Sequence, residues 1–302
     1  MRQSSKMSNN INQKIAVIGF GEAGASLCKG WALKDICAYD IKQDADTKTA
    51  SEKKIQMRAA GVLIRASVAA AVVDADMIFS TVTADQAYSA AKAAAESIKS
   101  GSYFFDLNSC APLTKLKNSA LIREAGGQYV DVAVMATIAP KYHQTAMLVS
   151  GEHAPAAIAL MQELDMRPTH VPGPIGRAST IKMIRSVMMK GIEALTAECF
   201  TAACKAGVVD EVSASLDASQ TREGWKAQAA YNMERMTTHG IRRAAEMREV
   251  AITLADLNIS NKMTNSIIDW QECFGTLGLS LVETDGLESR IEAISAALKK
   301  RK

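Results

Sequence analysis

Histidine is scarce, at four in 302 residues, and none of the six cysteines (Cys28, Cys37, Cys110, Cys199, Cys204, Cys273) forms a Cys-x-x-Cys pair. The ligand spacing of a metal site is missing, so no metal is expected. Thiols scattered in this way suit a reducing compartment rather than a disulfide framework, and the expected location is cytoplasmic. No run approaches the roughly 20 apolar residues of a membrane span. Aromatic residues make up 5% of the chain and no basic stripe is interleaved with them, so no nucleic-acid partner is expected. The net charge of +3 is too small to imply an anionic partner. Lys299-Lys-Arg-Lys302 reads as a solvated tail. Met1–Gln13 is polar, lacks the apolar core of a secretory signal, and is expected to be a disordered leader.

Hydrophobic residues make up 48% of the chain, enough for two domains of about 100–200 residues each. Short β-type runs alternate with Ala-rich helical stretches up to about residue 171. The strand candidates are Ile15–Ile18, Ile36–Tyr39, Val62–Ile64, Met77–Val82, Tyr103–Asp106, Tyr129–Val134, Ala146–Val149 and Thr169–Val171. Strands alternating with helices imply βαβ units and a parallel sheet covered on both faces. Pro172-Gly-Pro-Ile-Gly176 then breaks the pattern. Strand-like runs almost vanish after it, and Thr180–Ala206 reads as one long helix. The expected architecture is a doubly wound α/β domain over 14–173 and an all-α domain over 174–302. The long helix is apolar around much of its circumference, which predicts a homodimer through the second domain.

Gly19-Phe-Gly-Glu-Ala-Gly24 is a G-x-G-x-x-G turn between a strand and a helix. In that context it reads as a dinucleotide-binding loop. Gly19 allows the tight turn, Gly21 lets a pyrophosphate approach the backbone, and Gly24 lets helix and strand pack closely. Phe20, Glu22 and Ala23 complete the cradle, because a helix N-terminus offers unpaired N–H groups and a positive dipole end. The alternative is a bare strand–helix turn. Asp40 lies 16 residues beyond Gly24, near the spacing of about 20 expected for the acid on the adenosine ribose. It favours NAD, while the neighbouring Lys42 leaves NADP as an alternative; a surface turn acid is the plainer reading of Asp40. Thr81, Val82 and Thr83 at the end of the fourth strand, and Asn108 and Ser109 at the end of the fifth, fall where such sheets bind ligands. The first four are expected on the cofactor and Ser109 on the substrate, although Thr83, Asn108 and Ser109 also suit helix N-caps.

Lys182 lies one turn into the long helix with Ser186 at i+4 on the same face. A lysine on an apolar helix face just after a hinge would point into a cleft, where burial lowers its pKa toward a proton-transfer role. A solvated lysine is the alternative. His239, Arg242, Arg243 and Glu246 cluster further on. Arginines pair with carboxylates, whereas a surface helix with Arg–Glu pairs is the plainer reading. Met183, Met188 and Met189 read as packing rather than ligand contacts.

The glycine turn, Asp106-Leu-Asn-Ser-Cys-Ala-Pro112, Asp131-Val-Ala-Val-Met-Ala-Thr137 and the lysine helix follow in one order. Together they resemble the β-hydroxyacid dehydrogenases, the family of 3-hydroxyisobutyrate and 6-phosphogluconate dehydrogenases. The resemblance covers nearly the whole chain after the leader. It implies a Rossmann domain, an all-α domain, a homodimer and NAD(P)-dependent oxidation of a hydroxy acid, with Lys182 as the catalytic lysine. The sequence departs from the family at the substrate loop, where Ser-Gly-Gly is replaced by Met135-Ala136-Thr137. The asparagine four residues past the lysine is Ser186, and the family's Lys-Asp pair is Ala245-Glu246. These changes mark a divergent branch and a bulkier or more apolar substrate, whose acid group His239 with Arg242 or Arg243 would hold. Imine reduction is the rival chemistry, although imine reductases of this fold usually lack the lysine. A dinucleotide-binding redox sensor without turnover is the non-enzymatic rival.

Overall fold

The computed structural model describes residues 13–218, 224–256, 261–281 and 286–300. Most of the expected leader, residues 1–12, lies outside the described residues. The chain divides into two compact units, Met1–Lys182 and Met183–Lys302.

In the first unit, eight strands form one sheet: β1 (Ile15–Ile18), β2 (Cys37–Tyr39), β3 (Leu63–Ile64), β4 (Met77–Ser80), β5 (Tyr103–Asp106), β6 (Gln128–Val134), β7 (Ala146–Ser150) and β8 (Arg167–His170). Their spatial order is β3-β2-β1-β4-β5-β6-β7-β8. Helices α1 (Glu22–Trp31), α2 (Thr47–Ala59), α3 (Val68–Val72), α4 (Ala87–Ala95), α5 (Pro112–Glu124) and α6 (Ala154–Glu163) connect them.

The central strands are largely apolar because both of their faces are buried. Period-two alternation sends Ile15, Val17, Met77, Phe79 and Phe105 into one core. Ala16, Ile18, Ile78, Phe104 and Tyr129 enter the other. Phe79 and Phe105 stack across β4 and β5 with centroids 4.6 Å apart.

The expectation of a parallel sheet holds for β1 to β6. β7 pairs antiparallel with β6, and β8 runs parallel to β7. The connection over residues 135–145 carries only a 3₁₀ turn, Tyr142–Gln144. Without a crossover helix the chain returns beside β6 in the opposite direction. The short α3 adds an element that the sequence reading did not contain.

The helix α7 (Arg177–Ala206) begins after the Pro172–Gly176 cluster, and the division between units falls inside it. The second unit continues with α8 (Val209–Asp217), α9 (Trp225–Asp256), α10 (Lys262–Gly275) and α11 (Leu287–Lys299). No described residue there forms a strand. α9 and α10 approach closely at two glycines: a Cβ on Gly240 would strike the Gln271 carbonyl, and one on Gly275 would strike the Ile241 amide. Of the three methionines read as packing, Met183 is buried, whereas Met188 and Met189 are exposed. Among the described residues no helix is long and apolar enough to cross a membrane.

Candidate active site

The three glycines of the turn have different physical reasons. Gly19 has φ +88°, and a Cβ there would lie 2.8 Å from the Thr81 carbonyl oxygen. At Gly24 a Cβ would strike the Gly19 carbonyl and lie 2.8 Å from Thr81 Oγ1. These two are required by packing of the chain on itself. Gly21 is different: among the described residues a Cβ there meets nothing within 4 Å. Its backbone is extended (φ −80°, ψ −157°), and it caps α1 with no side-chain hydrogen bond. The first-turn N–H groups of α1, beginning at the exposed Glu22, are therefore not taken by a capping side chain. An open approach and uncapped donors at a helix start fit a dinucleotide pyrophosphate.

Side chains pin the loop from three directions. The Phe20 ring is buried in the core. The Phe20 N–H donates to Asp40 Oδ2 at 2.6 Å. The Phe20 carbonyl accepts from Lys53 Nζ at 2.7 Å. Thr81 Oγ1 donates to the Gly19 carbonyl at 2.6 Å. Asp40 also accepts from the Lys42 N–H at 2.9 Å and is only 7% exposed. Each of its oxygens thus holds one backbone donor, and a carboxylate has about four acceptor positions, so capacity remains for ribose hydroxyls. Lys42 is exposed. Lys53, which no motif marked, reaches the loop from α2.

Past β4, Val82 is half-buried against the core, and Thr83 is exposed. The Thr83 hydroxyl bonds to Asp85 and holds that carboxyl below its usual pKa, with Gln86 assisting. Past β5, Asn108 is buried, its N–H donates to Asp106 Oδ1 at 3.0 Å and its Nδ2 to Ser80 Oγ at 2.9 Å. Asn108 Oδ1 has no hydrogen-bond partner among the described residues and is a buried acceptor at the carboxyl end of the sheet. Ser109 is half-buried and accepts from Lys182 Nζ at 2.5 Å. The lysine and serine singled out separately in the sequence are thus brought together.

A fully buried ionic frame lies behind them, which sequence reasoning missed. Asp106 and Asp131 face each other in register on β5 and β6, and both are 0% exposed, as is Lys115 on α5. Lys115 Nζ lies 2.9 Å from Asp106 Oδ1 and 3.6 Å from Asp131 Oδ1. Burial opposes the lysine's charge, but Asp106, then Cys110 and Asp131, more than offset it, and its pKa is raised. Asp106 also accepts from Asn118 Nδ2 and the Tyr129 hydroxyl. Burial, then Asp106, pushes the Tyr129 phenol well above its usual pKa. The only sequence signal was one aspartate in each of two otherwise apolar strand candidates, Asp106 closing Tyr103–Asp106 and Asp131 inside Tyr129–Val134.

Met135, Ala136 and Thr137 follow β6. The Met135 N–H extends the ladder to the Ala146 carbonyl at 2.9 Å; its side chain and Thr137 are half-buried, and Ala136 is exposed.

The second unit carries its own ionic cluster. Ser186 Oγ accepts from Lys190 Nζ at 3.3 Å, and Lys190 pairs with Glu246 at 3.0 Å. Burial pulls the Lys190 pKa below its usual value, partly countered by Glu246. Arg243, expected on a substrate carboxylate, is instead buried on Glu193, which Gln271 Nε2 also reaches at 3.1 Å. A buried guanidinium needs such a partner. Burial pushes Arg243 down to about 10, so it stays charged at neutral pH. Arg242 remains about half exposed, 3.3 Å from Glu246, and His239 is half-buried on α9.

Residues 14–162 match the NAD binding domain of 6-phosphogluconate dehydrogenase, and residues 203–273 match a domain of unknown function, DUF1932. A conserved hypothetical protein from Sinorhizobium meliloti is similar at 29% identity and TM-score 0.72, over 96% of this chain and 98% of that one. A conserved protein of unknown function, whose structure reveals similarity with 3-hydroxyacid dehydrogenases, is 25% identical with TM-score 0.66, over 86% of this chain and 96% of its own. Mycobacterium tuberculosis 3-hydroxyisobutyrate dehydrogenase, solved with L-serine, shares the fold at 16% identity and TM-score 0.71, over 93% and 99% of the two chains.

Proposed function

We propose that the chain is a member of the β-hydroxyacid dehydrogenase family, whose NAD-binding domain its residues 14–162 match, and that it oxidises a hydroxy acid with NAD(P), Lys182 handling the hydroxyl proton. The observation that carries this reading is the 2.5 Å hydrogen bond between Lys182 and Ser109, just past the carboxyl end of β5. Ligands of doubly wound sheets bind beyond the carboxyl ends of the strands.

The glycine loop and the start of α1 hold the pyrophosphate, and Asp40 accepts from the ribose, which favours NAD over NADP. Asn108 Oδ1 offers an acceptor on the nicotinamide side. Hydride acceptance is the chemistry that the nicotinamide supplies when bound. Ser109 Oγ orients the substrate hydroxyl toward Lys182 Nζ, which in its amine form takes the proton as the carbinol hydrogen leaves with its electron pair. The product is the corresponding carbonyl compound. Met135–Thr137 replace small glycines with larger and more apolar groups, which supports a substrate bulkier than 3-hydroxyisobutyrate. A homodimer through the second unit belongs to the same reading; Ile184 and Met188 are exposed one turn apart on α7.

The test is reduction of NAD and NADP by the purified protein over hydroxy acids running from small aliphatic to aryl-substituted, beside a panel of amines. Turnover of an acid, faster with NAD, is expected. Turnover of amines alone would transfer the assignment to imine chemistry. Tight cofactor binding with no turnover of either panel would leave a sensor.

A further inference from the structure

Two aspartates side by side on neighbouring strands, with no access to water, are costly unless they are paired and hydrogen-bonded. Apolar side chains would fill the same space at lower cost, so what the charges hold in place is informative. Asp106 accepts the Asn108 N–H at 3.0 Å and fixes the turn that presents Ser109. Asp131 accepts the N–H groups of Gly176 and Ser179 at 3.0 and 3.2 Å and the Ser179 hydroxyl at 2.6 Å. It therefore sets the first turn of α7, and Lys182 is three residues beyond Ser179. Ser150 reinforces the same joint, donating to Asp131 at 2.9 Å and accepting from the Ala178 N–H at 3.0 Å. Lys115 lies between the two carboxylates and donates to the Asp106 carbonyl as well, at 2.6 Å.

Each end of the Lys182–Ser109 hydrogen bond is thus anchored to one aspartate, and Lys115 joins the aspartates. We propose that Asp131 and Lys115 are positioning residues that set the geometry of Lys182 against Ser109. Neither is placed to touch substrate: both are fully buried. The frame acts through geometry, and a misplacement of about 1 Å can cost on the order of 100-fold in rate. The proposal rests on the dehydrogenase reading for its kinetic consequence but not for its structural one.

The experiment compares wild type, Asp131→Asn and Ser179→Ala at a temperature where circular dichroism shows all of them folded. Three quantities are read: cofactor Kd, the pH profile of kcat, and the pH profile of Lys182 labelling by an amine-reactive reagent, followed by mass spectrometry. Asp131→Asn is expected to lower kcat at least about tenfold, to leave cofactor Kd within about twofold, and to displace both pH profiles. Ser179→Ala, which removes one hydrogen bond and no buried charge, shifts them in the same direction by less, and it carries the test alone if Asp131→Asn does not fold. Unchanged kcat and unchanged profiles in folded variants, with only a lower Tm, would overturn the proposal and leave the frame structural. If the wild type turns nothing over, the labelling profile still decides: a shift supports positioning although the dehydrogenase reading has fallen, and no shift defeats both.

Discussion

Replacing Gly21 and Gly24 by alanine, one at the cap and the other in the first turn of α1, should give opposite results. A Cβ at Gly24 would strike the Gly19 carbonyl and lie 2.8 Å from Thr81 Oγ1 and 3.2 Å from Val17 Cγ1. Two of these neighbours are backbone or strand-anchored, so α1 must move off β1, at a cost of about 1–3 kcal/mol. A Cβ at Gly21 meets no atom of the described residues within 4 Å, and its φ of −80° suits any residue. Losing glycine at that cap costs at most about 1 kcal/mol, a fall of about 2–4 °C in Tm for a unit of this size. On the cradle assignment the new methyl stands where the pyrophosphate approaches, so cofactor affinity should fall at least about tenfold, or ~1.4 kcal/mol. Thermal melting with and without NADH measures both effects. Cofactor at about 100 times the wild-type Kd stabilises the wild type by ~2.7 kcal/mol, and a tenfold weaker variant by only ~1.4 kcal/mol. Gly24→Ala should melt early even without cofactor. If Gly21→Ala binds NADH as tightly as the wild type, or melts as early as Gly24→Ala, the cradle assignment is refuted.

Four further outcomes are expected. Ser109→Ala removes one hydrogen-bond partner of Lys182 and should lower kcat about tenfold or more with cofactor Kd unchanged, read by steady-state kinetics beside a binding titration. Lys115→Met leaves two buried carboxylates without their cation and should destabilise the protein by about 3–5 kcal/mol in urea unfolding. Arg243→Met strands the buried Glu193 and should cost about as much, whereas Arg242→Ala at a half-exposed pair should cost about 0–1 kcal/mol; a rise in KM in Arg242→Ala would tie that residue to substrate. At Asp76, burial opposes ionisation, but Lys99 and the Lys14 amide more than offset it, so the pKa lies below the usual 3.8. The stability it contributes is complete above that value and is lost as pH falls through the lower folded pKa. Asp76→Asn should therefore flatten the acid limb of the Tm–pH curve, and an unchanged limb would contradict the pairing.

The glycine turn and the central strands were legible because their signals are local. β1, β4 and β5 are short apolar runs bounded by breakers, and Gly19–Gly24 stands at a strand–helix junction. β8 was harder to place, since Arg167-Pro-Thr-His170 has no apolar pattern, and it starts two residues before the expected run. The direction of β7 was not readable, because alternation of side chains is the same in parallel and antiparallel ladders. Lys182 and Ser109 were each marked, but nothing in the sequence joins them. The Asp106–Lys115–Asp131 frame depends on the register of β5 against β6, which no spacing along one chain encodes. Arg243 and Glu193 lie 50 residues apart and meet only through helix packing, so Arg243 read as a ligand for a substrate carboxylate, with a surface Arg–Glu pair as the alternative, and its buried partner was not legible.

The central claim is that Lys182 carries the proton transfer, and the most direct measurement is single-turnover reduction of NAD by Lys182→Ala on the best hydroxy acid, with cofactor Kd determined on the same preparation. Lys182→Ala should bind cofactor within about twofold of wild type and transfer hydride at least about 100-fold more slowly. A folded Lys182→Ala that binds cofactor and keeps the wild-type rate would contradict the account.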